Sequence, residues 1–135
     1  MIKEACVETL DQSINAERNG ADRIELCADL ENDGLTPDRK LIQKVFQSVS
    51  IPIRVMIRPR PGNFVYSEEE IDAMKASIDI CQSIGVEGVV FGACTSDDSL
   101  DIGLIRELAD HSKPLKVTIH KAIDICNAQL VELQI

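Results

Sequence analysis

Cys6 and Cys27 are the first residues to weigh for chemistry. Each stands near the carboxyl end of a short stretch in which apolar and polar residues alternate, KEACVE and RIELC. Such stretches read as strands, and neighbouring strands lie roughly 4.8 Å apart. Two thiolates so placed suit a soft metal ion. The plain alternative is a pair of small, buried, inert side chains. Arg58 and Arg60 come next, in IRPRPGNF. Pro59 and Pro61 stiffen the backbone and pre-position the guanidinium groups, whose planar fork matches a carboxylate or phosphate. Phe64 and Tyr66 could wall a pocket for that anion. Arg58 is also expected to pair with Glu25 on the adjacent strand, because a buried charge needs a partner.

A third set is acidic and basic at once. Glu4, Glu25, His120 and Asp124 could surround one cavity, with Glu25 and His120 moving a proton. A hydrogen-bond network that merely keeps polar groups satisfied would use the same residues. His111 falls at a helix end on the opposite, amino-terminal side of the strands and reads as a cap. Asp97, Asp98 and Asp101 lie near Cys94, but the glycine and closing glutamate of a calcium loop are missing, so a solvated turn is expected there.

Holding these groups requires alternating strands and helices. The expected strands are Ile2–Glu8, Arg23–Cys27, Ile53–Ile57, Gly88–Gly92 and Leu115–His120. Thr9 and Gln12 form a T-x-x-Q capping box, and Asn19-Gly20 stops that helix. Thr36 and Pro37 read as N-cap and first helical residue of the next. Leu41, Ile42, Val45, Phe46 and Val49 give it an apolar stripe. Ser67 and Glu70 box a third helix that carries Cys81 on its core side and ends at Gly85. Asp101 caps a fourth, and a fifth begins near Ala128. NGADRIEL and IGVEGVVF repeat the same helix-to-strand joint.

Strand–helix–strand alternation implies parallel strands with right-handed crossovers. Polar residues share one side of each strand: Glu4 with Cys6 and Glu8, Arg23 with Glu25 and Cys27, Arg54 with Met56 and Arg58, Lys116 with Thr118 and His120. The opposite sides are apolar. A sheet covered by helices on both faces would read as continuous apolar runs, whereas a barrel turns one face to helices and the other to its interior. The expected fold is a parallel (β/α) barrel of the TIM type, truncated to about five strands and four to five helices. Chemistry in such barrels sits at the carboxyl ends of the strands, where Cys27 falls.

The bulk composition sets the outer bounds. The 135 residues suit a single domain, 1–135, and 44% hydrophobic content gives it a core. A net charge of −9 works against nucleic acid and anionic membranes. No apolar run approaches the roughly 20 residues of a membrane span, and MIKEACVE lacks the apolar segment of a signal peptide. The five cysteines include no CxxC pair and read as mostly reduced thiols. The expected location is cytoplasmic.

NGADRIELCADLENDGLTP, PIRVMIRPRPGNFVYSEEE, VFGACTSDDSLD and VTIHKAID together resemble the copper homeostasis protein CutC family. That family's pattern carries GADRIELC, GLTP, IRPRxGxFxYS and a strand ending in THxAFD. The resemblance spans essentially the whole chain. It departs at Lys121 and Ile123, where the family has Arg and Phe, and at Cys94, where it usually has an apolar residue. It implies a (β/α)8 barrel, a cytoplasmic location and copper handling, with Cu(I) as the ion for Cys6 and Cys27 and His120 as a further candidate ligand. It also implies a fragment, the N-terminal part of a barrel of about 250 residues. First and fifth strands would then be open edges, and self-association is expected. The rival expectation is an enzyme acting on a small anionic metabolite, with Arg58 and Arg60 holding the anion and Glu25 and His120 transferring a proton.

Overall fold

The structure is a computed structural model that describes residues 2–119 of the chain. His120, Asp124, Cys126 and the helix expected near Ala128 lie outside the described residues. Five strands alternate with four helices: β1 (Glu4–Val7), α1 (Leu10–Arg18), β2 (Arg23–Leu26), α2 (Arg39–Ser48), β3 (Ile53–Met56), α3 (Glu68–Ile84), β4 (Gly88–Phe91), α4 (Ile102–Ser112) and β5 (Lys116–Ile119). A single 3₁₀ turn, Leu30–Asn32, interrupts the loop between β2 and α2. Each strand is shorter than its sequence pattern by a residue or two at its ends, where ladder bonding gives way to loops.

Local chemistry explains the boundaries. Thr9 Oγ1 accepts from Gln12 N at 3.0 Å, while Gln12 Oε1 reaches back to Glu8 N at 2.8 Å, one residue short of a strict capping box. Ser67 and Glu70 form the full box on α3, and Asp101 Oδ1 caps α4 through Leu104 N at 3.1 Å. The expected cap at Thr36 is corrected. Asp38 Oδ1 accepts from Leu41 N at 2.8 Å and starts α2, because the Thr36 hydroxyl is taken by the main chain of Arg58. The repeated joint is real in three dimensions: Gly20 and Gly85 end α1 and α3 at φ +89° and +98°, a conformation glycine adopts without a Cβ penalty. His111 sits in the last turn of α4, and its Nε2 lies 2.8 Å from Asp79 Oδ1 on α3. It ties two helices together rather than capping its own.

The strands form one sheet in the order β1-β2-β3-β4-β5, all parallel, with Glu25 opposite Cys6 and Arg54, and Gly88 opposite Arg54 and Lys116. One face carries Ile24, Leu26, Val55, Ile57, Val89 and Phe91, all fully buried against Ile42, Val45, Met74, Ile78, Ile105 and Leu108 of the helices. Each such side chain contributes about 1.5–3 kcal/mol of burial. The opposite face is the polar one. At its amino-terminal level Arg23 Nε meets Glu4 Oε2 at 2.6 Å. Arg54 crosses above Gly88, with Nε at 2.7 Å from Glu87 Oε1 and Nη1 at 2.6 Å from Thr118 Oγ1. At its carboxyl-terminal level Cys27, Met56 and Val90 pack together with Leu30. The alternation therefore directs charge and sulfur to the concave side of a partial parallel barrel.

Candidate functional site

The carboxyl ends of β1, β2 and β3 and the loops after them enclose a cavity of about 560 Å³. That lies in the usual range for small-ligand sites. Cys6, Glu25, Cys27, Arg58 and Phe64, all singled out in the sequence, stand together on its wall. They do so because Cys6 and Glu25 occupy one register level and Cys27 follows two places after Glu25 on the same face. Cys6 and Cys27 are thus diagonal neighbours, not directly opposed. From strand spacing and rise, their Cα atoms stand about 8 Å apart.

The electrostatics distinguish the two thiols. Cys6 is exposed, Cys27 fully buried. Cys27 Sγ donates to Glu25 Oε1 at 3.8 Å, a sulfur-length contact. Burial pushes the Cys27 thiol well above its ordinary range, and the charges of Glu25 and Cys6 push it further. Glu25 is itself raised, first by burial and then by Glu4 beside it, while Cys27 and Arg23 pull it back. The resting form of this corner is a protonated thiol against a carboxyl of reduced acidity. A metal ion binding Cys27 must displace its proton.

Arg58 and Glu25 do not pair, contrary to expectation. Arg54, not Arg58, is opposite Glu25, and it turns away to Glu87. Arg58 is 5% exposed and donates to three main-chain carbonyls: Asn32 O at 2.8 Å, Gly34 O at 3.3 Å and Gly62 O at 2.9 Å. Its guanidinium lies over the Phe64 ring, 4.9 Å from the centroid. Among the described residues neither Arg58 Nε nor Tyr66 Oη has a hydrogen-bond partner. Burial raises the Tyr66 phenol to about 12 against the pull of Arg58 and Arg60.

Arg60 is not on the cavity wall. Its Nε meets Glu70 Oε2 at 2.5 Å, and its other nitrogens bind Asn63 and the carbonyls of Pro61 and Val65. It ties its loop to the start of α3, and the two arginines do not converge on one anion. His120 lies outside the described residues.

The sequence did not single out Leu30, Asn32 and Gly34, which the β2–α2 loop brings to the site. The run ENDG between a strand and a proline marked a turn, but not that the turn would fold back over Cys27. Among the described residues no three His, Cys, Asp or Glu side chains cluster closely enough to hold a metal ion. Cys6, Cys27 and Cys81 are thiols, whereas Cys94 is disulfide-bonded. No helix among the described residues is long and apolar enough to cross a membrane.

Comparison with known proteins places this geometry. The CutC family model matches residues 1–135. The copper homeostasis protein cutC homolog of Homo sapiens is 46% identical over 133 residues, covering 98% of this chain and 49% of that protein. A CutC family protein of Parabacteroides distasonis is 41% identical over 139 residues, covering 98% of this chain and 57% of the relative. The chain spans about half the length of the curated relatives it matches. A solved CutC structure from Streptococcus agalactiae superposes with a TM-score of 0.88 at 31% identity, covering 93% of this chain and 61% of that one. QR15, an aldolase, superposes with a TM-score of 0.54 at 17% identity over 80% of this chain and 48% of its own length, a likeness of fold alone.

Proposed function

The chain belongs to the CutC family, and on that footing we propose that it serves copper homeostasis by holding Cu(I) between the thiolates of Cys6 and Cys27. One observation carries the reading: two thiols from adjacent strands line a single cavity at the carboxyl end of the sheet. Thiolate sulfur is the donor that a soft monovalent ion selects, and Cu(I) is satisfied by two of them. The diagonal offset leaves room for an ion between the sulfurs once the side chains lean together. Glu25, Glu31 and Asp33 share the wall with Arg58 as the only basic side chain among the described lining residues, which favours a cation over an anion inside.

The two ligands divide the work. Cys6, exposed, meets the ion first. Cys27, buried, closes the site, and its displaced proton leaves through Glu25, to which the thiol already donates. Affinity then rises with pH, because loading releases protons. Anaerobic titration with Cu(I) against a chromophoric chelator tests the proposal. The native chain is expected to take one ion per chain, and Cys6→Ser and Cys27→Ser each to lose it. A stoichiometry unchanged in both variants removes these residues as ligands.

A further inference from the structure

Cys27 is 1% exposed although it stands on the wall of an open cavity. The β2–α2 loop covers it. Leu30 packs on Cys27, Met56 and Val90. Gly34 approaches so closely that a Cβ there would come within 3.2 Å of Cys27 Sγ and 3.6 Å of Met56 Cε. The loop's path takes two non-glycine residues through the left-handed region. Asp29, Asp33 and Gly34 all have positive φ, at 49°, 68° and 92°, and for the two aspartates that conformation is a local cost. Hydrogen bonds within the loop, Asn32 N and Gly34 N to Asp29 O and the Ala28–Leu35 pair, shape it, and contacts from outside tie it down over Cys27.

Those contacts converge on Arg58. Its Nη1 donates to Asn32 O and Gly34 O inside the loop, and its Nη2 donates to Gly62 O of the β3–α3 loop. Its main chain exchanges hydrogen bonds with Thr36: Thr36 N to Arg58 O at 3.0 Å, and Arg58 N to Thr36 Oγ1 at 2.8 Å. Phe64 backs the guanidinium plane. Glu8 Oε2 accepts from Leu30 N at 3.0 Å and fixes the near end. A planar, permanently charged fork spreads its donors to reach carbonyls of two loops at once, whereas a lysine concentrates its three donors at one point on a flexible stem. We infer that Arg58 is a positioning residue that latches the β2–α2 loop over Cys27, so that this thiol is reached only when the loop lifts. On this reading the Arg58 guanidinium governs access to a sulfur.

The functional consequence rests on Cys27 being a copper ligand; the latch itself does not. Thiol labelling therefore tests it without copper. The full chain is treated with N-ethylmaleimide, and the rate at each cysteine is followed by peptide-resolved mass spectrometry. Cys6 is the exposed reference. Cys81, fully buried in the helix layer, reports opening of the whole fold. In Arg58→Met, Cys27 is expected to label at least roughly tenfold faster relative to Cys6, the effect of losing one or two charge-assisted hydrogen bonds on a local opening, with Cys81 still protected. Arg58→Lys is expected to fall between. An unchanged Cys27 rate overturns the latch. If Cys81 is exposed together with Cys27, Leu30→Ala decides: it removes the cover and leaves Arg58 in place, and unchanged Cys27 labelling there overturns the proposal too. Transfer of Cu(I) from a bicinchoninate complex is then timed in the same variants. Faster labelling with no change in copper uptake keeps the latch and removes Cys27 as a ligand.

Discussion

Gly88→Ala is the sharpest probe of the interior. Gly88 faces the concave side of β4, and an added Cβ would stand 2.5 Å from Lys116 O, 2.8 Å from Arg54 Cδ and 3.0 Å from Arg54 Nε. The first contact is with backbone and cannot be relieved by a rotamer. The other two push on a side chain that is 9% exposed and bonded to Glu87 and Thr118. Overpacking of this kind costs about 1–3 kcal/mol, and disturbing a charge-assisted hydrogen bond adds about 1.5–3 kcal/mol, so a loss of about 2.5–6 kcal/mol is expected. That is a large share of a typical domain's stability. Urea unfolding followed by circular dichroism measures it. Arg54→Ala, which removes both the δ and ε atoms that stand over Gly88, supplies the second edge of a cycle. With Arg54 gone only the Lys116 contact remains, so Gly88→Ala should cost at least about 1 kcal/mol less in that background. A loss below about 1 kcal/mol in the native background, or strict additivity with Arg54→Ala, would refute the placement of Arg54 over Gly88.

Two further outcomes follow from the helices. Burial lifts the Cys81 thiol from 9.0 to about 12. The unfolded chain therefore ionises before the folded one, and stability should fall as pH rises above about 9, by up to about 1.4 kcal/mol per pH unit for this group. Cys27 adds in the same direction, Cys81→Ala should flatten part of the slope, and stability that stays level between pH 8.5 and 10.5 refutes the shift. Asp38→Ala should cost about 1 kcal/mol in urea unfolding, because Asp38 is the cap of α2; no loss would return that role to Thr36.

Much of this architecture is written in local patterns. Period-two alternation in RIELC and IRVM and the glycine joints at Gly20 and Gly85 specify strands, direction and face, because each depends on near neighbours in the chain. Cys6, Glu25, Cys27 and Arg58 reach one cavity for the same reason. What failed depended on register and loop path. Whether Glu25 meets Arg54 or Arg58 is a matter of a few residues' offset between strands, and no single stretch encodes it. The strand glycine at 88 did carry a signal, since a glycine in a strand interior often marks a close approach, but the approaching group, Arg54, lies on another strand. Arg58 looked like an anion ligand because its fork suits any planar acceptor. Carbonyls of residues 32, 34 and 62 take the two terminal nitrogens of that fork once two loops fold together, and their meeting cannot be read from spacing.

Strand order in the sheet equals strand order in the chain. Each strand's docking partner was made just before it, about 20 to 35 residues earlier. During synthesis every new βα unit emerges beside a finished template, and parallel pairing, ordinarily slow for want of nearby partners, can proceed one unit at a time. In the finished sheet the same order sets a gradient of protection: amide protons of β2, β3 and β4, flanked on both sides, should exchange last, and those of the edge strands β1 and β5 first.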